Sequence, residues 1–487
     1  MDERTARAYL DVGLHEINKK RPQWDRREKY RKGEQDPPYA PQGVNAEYKA
    51  LQDQSIANVL DIAMSAPVQR LRAEGFRTGR DQAADITAWN DVWQPNKLDM
   101  RQRVVFTQMI THGRGLMSVW RNERTPSQPL VRVESDRNVH VGMDPENPFE
   151  PLFAVKTFEV RDLPNTPLAL PPGITTVRSV AVVYDATEWV RFEKGGLLSG
   201  AWEVRAAGVH GLGVPFVPFD NKPDGNGVPF ASIEPLMPQQ DALNTIRFNT
   251  LLAMQFSAFR QRVFTGYDPV MRDKDGQPIW RKNTDGTLAL DAQGRPQPAV
   301  TSPGRIGVDR ALVFPGKDTK VFDLPESNLG NYISVLDDFM TFLFAVGQIP
   351  PQYLLSRMAN LSGDALAGAE STLASLVDDM QRSAGESLEQ VMRLANIARG
   401  ESAPDVASEV IWADAQARSF AQVVDAIGKL VASGFPREGA FEMLPGATPQ
   451  KVQRWAEMSR AEQEDPYLRM IEAKERADVP ADAPAVG

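Results

Sequence analysis

The sequence predicts an α+β protein with more than one subdomain, and three observations support this fold class. The chain has 487 residues, more than one hydrophobic core usually supports, so two to four subdomains are expected. Residues 116–206 contain short apolar segments separated by Pro, Gly, Asp and Asn, which is typical of an antiparallel sheet. Apolar residues recur every three or four positions over residues 234–262, 328–347 and 362–400, which is typical of long helices.

Charge and cysteine content exclude several classes of function. The chain carries 64 acidic and 55 basic residues, a net charge of −9, whereas a protein that grips DNA tightly is normally basic because phosphate neutralisation supplies most of the affinity. It has no cysteine, which excludes disulfides, thiolate metal sites and a cysteine nucleophile. No signal peptide and no apolar run of about eighteen residues is recognised, so we expect a cytoplasmic protein without a membrane partner.

The N-terminal part is expected to combine helices with the sheet. Pro67 should end or bend the second helix, and Asp99 should cap the third, which stops at Gly113. The predicted helices are residues 5–20, 45–72 and 99–112, with an extended linker at 35–41. The predicted strands are residues 116–120, 130–133, 152–158, 179–184, 188–192 and 202–206.

A basic cluster stands at the N-terminal end of this acidic chain. Two interpretations remain open: contact with nucleic acid or with an acidic patch of a neighbouring subunit, or a solvated helix face. The cluster comprises Lys19, Lys20, Arg21, Arg26, Arg27, Lys29, Arg31 and Lys32. Its candidate contact residues are Arg26, Arg27, Lys29, Arg31 and Lys32.

Two helices and the junction between them dominate the C-terminal half. The helix at 328–347 is apolar on most sides, with a thin polar strip, so we expect other helices to cover it. Pro350 and Pro351 lie in the run that stops it. Ser362 can cap the next helix, a rod of roughly 55 Å in which Gly385 is a candidate kink. The polar strip consists of Asn331, Ser334, Asp338 and Thr341.

Other segments complete this half of the chain. The pairs Asp275-Gly276, Asp285-Gly286 and Gln293-Gly294 separate short extended segments, which predicts hairpins between the helices at 234–262 and 328–347. Shorter helices are predicted at residues 415–432 and 449–461, and a disordered end at 478–484.

No arrangement of residues predicts an enzyme, a metal site or a cofactor site. A phosphate-binding G-x-x-x-x-G-K-[ST] loop is missing from the sequence, and the four histidines stand apart. His112 ends a predicted helix, where a capping or packing role is expected. Asp378 and Asp379 point about 100° apart on a helix, which favours solvation or ion pairing over metal binding. The loop after Asp220 half resembles a calcium loop, but Lys222 replaces a ligand, so we expect a polar turn.

Several motifs resemble one family. The run VGQIPPQYL at residues 346–354, followed by NLSGDA at 360–365, resembles the tunnel loop of portal proteins of tailed bacteriophages of the siphophage type, where it joins a stem helix to the long helix of the wing. Further landmarks resemble this family in the same order and extend the resemblance over about residues 26–400. They are YRKG (30–33), NVLD (58–61), GFR (75–77) with Trp89 and Asn90, HGRG (112–115) and VPFVPF (214–219).

The resemblance implies a portal fold with an α/β wing, an antiparallel helical stem, a small β-rich clip and an α-helical crown. The implied boundaries are a wing region at 1–232, a first stem helix at 233–262, the clip at 263–327, a second stem helix at 328–347, the tunnel loop at 348–361, the long wing helix at 362–400, the crown at 401–462 and a disordered tail at 463–487.

The resemblance also implies a structural function. Such a protein forms a ring, usually dodecameric, at one capsid vertex, and double-stranded DNA passes through it during packaging and ejection. The implied partners are the terminase large subunit, the major capsid and scaffolding proteins and a head–tail connector or adaptor protein, with assembly in the bacterial cytoplasm before incorporation into the virion. Alternatives are another oligomeric helical head–tail protein, or a phage-encoded hydrolase, for which no nucleophile or metal set is found.

The tunnel loop supplies the candidate site. Polar and singly charged side chains in a channel can touch phosphates without the large counterion release that would stall a moving duplex. The residues expected to face the lumen are Gln348, Gln352, Arg357 and Asn360.

Overall fold

The structure is a computed structural model. It describes residues 1–39, 46–79, 84–161, 177–194, 200–258, 262–265, 270–300, 320–323, 329–350, 353, 363–401, 407–415, 420–444, 447 and 449–463. The chain divides into two compact units. Unit 1 is Met1–Pro38, Ile56–Asn244 and Asp337–Gly487, and unit 2 is Tyr39–Ser55 and Thr245–Leu336.

The described residues form a mixed helix and sheet structure. The helices are α1 (Glu3–Lys32), α2 (Ala46–Gln54), α3 (Val59–Arg70), α4 (Leu98–His112), α5 (Met237–Ala258), α6 (Leu329–Val346), α7 (Gly363–Arg399), α8 (Phe420–Ala432), α9 (Arg437–Glu442) and α10 (Pro449–Gln463). The strands are β1 (Ala73–Arg77), β2 (Arg114–Trp120), β3 (Leu130–Glu134), β4 (Val139–Met143), β5 (Pro151–Arg161), β6 (Val177–Tyr184), β7 (Glu188–Lys194), β8 (Glu203–Val209), β9 (Phe216–Asp220), β10 (Arg262–Thr265), β11 (Lys320–Asp323) and β12 (Glu409–Trp412).

Antiparallel sheets organise unit 1, which confirms the α+β prediction. The five-stranded sheet has the order β4-β5-β6-β7-β8, the three-stranded sheet β3-β2-β9, and β1 pairs with β12. One face of the five-stranded sheet packs against Leu10 and Ile17 of α1. The other packs against Leu116 and Phe216 of the smaller sheet. Each predicted strand is present in unit 1, whereas β1, β4, β9 and β12 of this unit were not predicted.

Helix α7 is anchored to the three-stranded sheet. Ser383 Oγ donates to the Asp220 carbonyl at 2.6 Å, and Ser387 Oγ donates to the Pro218 carbonyl at 2.8 Å. The 37 residues of α7 give a length of about 55 Å at 1.5 Å per residue, as predicted. The helix runs without interruption through Gly385, where an added Cβ would lie 3.6 Å from Trp412 Nε1.

Two predicted N-terminal helices have different bounds in the structure. Helix α1 does not end near residue 20, because it continues through Pro22 to Lys32 and is closed by Gly33 at φ 72°. The ring of Trp24 stacks on His112 at 4.2 Å, and this tertiary contact supports the second half of α1. The predicted helix at 45–72 is two helices, α2 and α3, and Pro67 lies inside α3 without ending it at that residue.

Two further helix ends also differ from the prediction. Asp99 lies in the first turn of α4 and does not cap it; its carboxylate accepts hydrogen bonds from Trp93 Nε1 and Gln94 Nε2. The helix predicted to reach residue 262 begins with a 3₁₀ turn at Glu234–Leu236 and continues as α5. Arg262 belongs to strand β10 instead.

The sequence places Gln240, Asn244, Arg247, Gln255 and Arg262 on a polar side of the helix at 234–262, and part of this side is buried. Gln240 and Asn244 are 0% and 1% exposed. Gln240 Nε2 donates to Asn244 Oδ1, which also accepts from the Ala57 N–H. These bonds satisfy one polar atom of each amide, whereas Gln240 Oε1 and Asn244 Nδ2 are buried and have no hydrogen-bond partner in the described part of the chain.

Unit 2 contains the predicted hairpin chemistry. Gly276, Gly286 and Gly294 each end a turn with a positive φ of 81°, 83° and 77°. The segments between the turns are linked in closed rings of hydrogen bonds: the Met271 N–H donates to Ala299, Ala299 to Ile279, and Ile279 back to Met271. The predicted β-rich character of this region is confirmed for residues 270–300.

The C-terminal helices agree with the prediction in part. Helix α8 begins at Phe420, and Gly434 follows its end at φ 98°. Helix α10 matches the second predicted helix, whereas α9 was not predicted. Ser362, expected to cap α7, and the tail predicted to be disordered lie outside the described residues.

Candidate functional site

The helix preceding the predicted tunnel loop, α6, exposes most of its apolar surface. Only Leu343 and Phe344 of this helix are buried. Ile333, Val335, Phe342 and Val346 are 58%, 44%, 54% and 40% exposed. The expectation that other helices cover α6 on most sides is therefore wrong for the described part of a single chain.

The exposed apolar residues occupy opposite sides of α6. Val335, Phe342 and Val346 lie along one stripe, because seven and eleven residues bring a helix back to nearly the same direction. Ile333 lies about 160° from Val335 on the helical wheel. Exposed apolar residues of this kind mark an interaction site, and here the stripe and Ile333 face different directions.

Helix α6 also has the length and composition of a membrane-spanning helix. By length and composition alone it is the one described helix that could cross a membrane, with a mean hydropathy of 1.3 over 18 residues. The sequence expectation that such a segment is missing is therefore wrong. Asp337 and Asp338 stand near the middle of α6, where charges are costly in hydrocarbon, and the physical argument favours burial against protein.

The end of α6 is set by the backbone before either proline. The Ile349 N–H donates to the Phe344 carbonyl at 2.9 Å, and the Gln348 N–H donates to the Ala345 carbonyl at 3.2 Å. Gln348 has φ 54°. These are the bonds and the left-handed residue of a Schellman motif, and the buried pair Phe344 and Ile349 is its usual apolar contact.

One of the four predicted lumen residues lies among the described residues. Gln348 is exposed at the end of this motif. Gln352, Arg357 and Asn360 lie outside the described residues.

The N-terminal basic cluster is engaged within unit 1. Arg27 Nε donates to Glu234 at 2.7 Å and its Nη1 to the His112 carbonyl at 2.9 Å. Arg31 pairs with Glu28 at 2.7 Å and with Asp61 at 3.4 Å. A structural role therefore accounts for both arginines. Arg26, Lys29 and Lys32 are exposed, although Lys32 also lies 3.4 Å from Glu28.

The junction of α1 with α4 is a tightly coupled polar cluster. Burial lowers the pKa of His112, although Glu28, 3.4 Å from its Nε2, opposes the shift. Burial alone would raise the pKa of Glu28, but hydrogen bonds from His112 and Arg31 lower it well below its ordinary value. His112 is therefore a packing residue, as expected, and its imidazole lies against Trp24.

Other charged residues of unit 1 serve the fold. Arg114 Nε and Nη2 donate to the Asp220 carboxylate at 2.5 and 2.8 Å, so the loop predicted to be a polar turn begins with an ion pair. Burial lowers the pKa of Lys20, which donates to Asp136 at 2.6 Å. Asp379 lies on the surface, 3.9 Å from Arg382. Among the described residues, no group of His, Asp and Glu could hold a metal ion.

An α+β chain that leaves a long apolar helix open on opposite sides has the character of a subunit of a larger assembly. Comparison with known proteins gives the same answer. A family model described as "Phage portal protein, SPP1 Gp6-like" matches residues 11–465. The portal protein of Mycobacterium phage D29 is 26% identical over 418 residues, 81% of this chain and 77% of that protein. The portal protein of Mycobacterium phage L5 is 25% identical over 414 residues, with the same coverage of 81% and 77%.

The family match covers nearly the whole chain. The chain therefore belongs to the phage portal protein family, whose members are structural proteins of the capsid vertex. The resemblance of the sequence motifs to this family is confirmed.

Proposed function

We propose that copies of this chain form a ring, dodecameric by analogy with the family, at one capsid vertex. The ring is the channel through which double-stranded DNA enters during packaging and leaves during ejection. The same ring offers docking surfaces to the terminase large subunit, to capsid and scaffolding proteins and to a head–tail connector or adaptor protein. Assembly takes place in the bacterial cytoplasm.

The single observation that carries this proposal is the exposure of α6 on opposite sides. A subunit in a closed ring has two neighbours that contact different surfaces, and a helix that is apolar on both sides suits that position. Ile333 and Phe342 are 58% and 54% exposed, so burying the rest of each side chain against neighbours would contribute about 0.8–1.6 kcal/mol from apolar transfer. Family membership supports the ring and the channel independently of this helix.

The subdomains in the proposal are those that the resemblance to the family implies. Residues 1–232 with α7 form the wing, α5 and α6 the stem, and the β-rich residues of unit 2 the clip. In the proposed channel, Gln348, Gln352, Arg357 and Asn360 line the lumen. Arg26, Lys29 and Lys32 remain candidate contacts for an acidic neighbour or for nucleic acid.

The test compares two substitutions on α6. Phe342→Asp places a charge in the exposed apolar stripe, and Ser334→Asp, about 80° away on the helical wheel, places one on the polar strip as a matched control. Light scattering after size exclusion should give a multiple of 54.0 kDa for the unmodified chain and for Ser334→Asp, but a single 54.0 kDa subunit for Phe342→Asp. Circular dichroism should show the same helix content in all three proteins.

Negative-stain electron microscopy tests whether the chain assembles into a ring. The unmodified chain should give an annulus with a central hole, and capsids carrying it should protect packaged DNA from nuclease, whereas capsids made with Phe342→Asp should not. A chain that stays monomeric at every concentration, or an assembly without a hole, contradicts the proposal. An intact ring of Phe342→Asp would show that α6 is not the contact.

A further inference from the structure

Strand β3 has a free edge in the three-stranded sheet. Among the described strands it pairs with β2 alone, since the order of strands is β3-β2-β9. The Val119 N–H of β2 donates to the Pro215 carbonyl, on the side away from β3. Val119 therefore forms a non-hydrogen-bonded pair with Val131, whose backbone groups point out from the free edge. Two residues further on, Val133 points the same way.

The first part of this edge is covered by side chains that imitate a neighbouring strand. Asn96 Nδ2 donates to the Pro129 carbonyl and Asn96 Oδ1 accepts from the Val131 N–H, both at 2.8 Å. Arg101 Nη1 donates to the Val131 carbonyl at 3.2 Å. Asn96 is held by a further bond to the Val92 carbonyl and is 6% exposed. An amide group already bonds this edge as a strand would.

The second part of the edge opens into a groove. Neither the outward N–H nor the outward carbonyl of Val133 has a hydrogen-bond partner among the described residues. A groove of about 650 Å³ runs beside residues 130–135, and Val104 and Gln108 of α4 form part of its other wall. Gln108 Oε1 is buried and has no hydrogen-bond partner in the described part of the chain. Edge strands with free backbone groups accept added strands.

The groove is basic although the chain is acidic overall. Lys97, Arg101 and Arg132 line it. The one carboxylate in its wall, Glu134, is 8% exposed and accepts from Ser118 at 2.9 Å and Lys156 at 2.8 Å. The free charges that a ligand would meet are therefore positive. Val104, 46% exposed, adds an apolar contact.

We propose that an extended, acidic peptide segment of a partner protein binds in this groove and adds as a strand to β3 at Val133. Its backbone N–H and carbonyl would bond Val133, and its acidic side chains would lie beside Lys97, Arg101 and Arg132. Recognition of this kind takes affinity from main-chain bonds and specificity from side chains. The site lies in unit 1 and does not depend on the ring or on the channel.

The test uses the full chain and two synthetic ten-residue peptides. One alternates Glu with Val, and the other alternates Lys with Val. Fluorescence anisotropy should show binding of the acidic peptide and at least about tenfold weaker binding of the basic one, because Lys97, Arg101 and Arg132 repel it. Hydrogen exchange of the amides of β3 should slow when the acidic peptide is bound.

Two variants separate backbone from side-chain recognition. Val133→Pro removes the outward N–H but no bond to β2, since proline is tolerated where an edge N–H faces away from the sheet, and binding should weaken about tenfold. Val133→Ala shortens the side chain and keeps the N–H, so the affinity should change by less than about threefold. Circular dichroism and thermal unfolding establish that each variant is folded.

A second route covers the case in which Val133→Pro does not fold. Lys97→Glu combined with Arg132→Glu should reverse the preference between the two peptides. Unchanged exchange in β3 at millimolar acidic peptide overturns the proposal. So does competition by duplex DNA together with equal binding to Val133→Pro and the unmodified chain, which would identify a phosphate site instead.

Discussion

Helices α6 and α7 use similar apolar residues but bury them in different ways. In α7 the residues at helical spacing are covered by the rest of the chain. The fully or nearly buried set is Leu373, Val377, Met380, Ala384, Leu388, Val391, Leu394 and Ala395. In α6 only Leu343 and Phe344 are buried, and Ile333 and Phe342 are more than half exposed.

The difference follows from how the apolar residues are arranged around each helix. Helix α7 has one apolar face, and Asp379 and Arg382 stand exposed on the other, so one partner surface is sufficient. The partner is the sheet, to which Ser383 and Ser387 are bonded. Helix α6 is apolar on opposite sides, and the described part of one chain covers only a fraction of it. A helix with one apolar face can be covered within its own chain, whereas we propose that neighbouring copies cover α6.

The difference in burial between α6 and α7 should have its largest effect on the free energy of unfolding. Leu388→Ala in α7 should lower the free energy of unfolding by about 2–5 kcal/mol, because Leu388 is 0% exposed and its removal leaves a cavity. Ile333→Ala in α6 should change it by less than about 0.5 kcal/mol in a chain kept monomeric by Phe342→Asp. Urea unfolding followed by circular dichroism measures both.

In the assembled ring, Ile333→Ala should have the opposite outcome and reduce stability. If α6 is an inter-subunit contact, Ile333→Ala should weaken the ring while leaving the monomer unaffected. A loss of several kcal/mol in the monomer for Ile333→Ala would show that α6 is covered within the chain.

A smaller effect concerns the five-stranded sheet of unit 1, in which His140 lies on β4. Burial lowers the pKa of His140 from 6.5 to about 4, and the nearby Lys20 acts in the same direction. Between these two pH values the unfolded chain binds a proton that the folded chain does not. The free energy of unfolding should therefore fall as the pH falls through this range, by about 1.4 kcal/mol per pH unit from this group.

The substitution His140→Gln isolates this contribution. Denaturation at pH 7, 6, 5 and 4 should give a shallower pH dependence for the variant than for the unmodified chain. His15→Gln, which replaces a histidine on the exposed side of α1, is the matched control. Parallel curves for His140→Gln and the unmodified chain would contradict the lowered pKa.

The elements that the sequence predicts well are those with a strong local pattern. The alternating strands around β5 to β7 and the period of α6 and α7 were predicted to within a few residues. The glycine turns of unit 2 were also predicted, because Gly276, Gly286 and Gly294 have positive φ angles that favour glycine. In these cases one short segment contains enough information to fix its own conformation.

The predictions are wrong where tertiary contacts, and not the local sequence, determine the structure. Pro22 is a helix breaker by local chemistry, yet the Trp24 and His112 stack supports the helix beyond it. Gln240 and Asn244 were assigned to a polar face, yet they are buried and bond each other. Periodicity shows which faces of α6 are apolar, but it does not show whether the same chain covers them. Of the four predicted lumen residues, only Gln348 lies among the described ones.

The smallest expected effect is at the end of α6. Gln348 closes the helix with φ 54°, a left-handed conformation that costs a residue with a side chain about 1 kcal/mol relative to glycine. Gln348→Gly should therefore raise the free energy of unfolding by up to about 1 kcal/mol, partly offset by the greater freedom of glycine in the unfolded chain. Gln348→Ala, which removes the same polar group without relieving φ, should not stabilise. If the alanine variant is as stable as the glycine variant, the left-handed turn is not what ends α6, and the prolines at 350 and 351 become the cause of the stop.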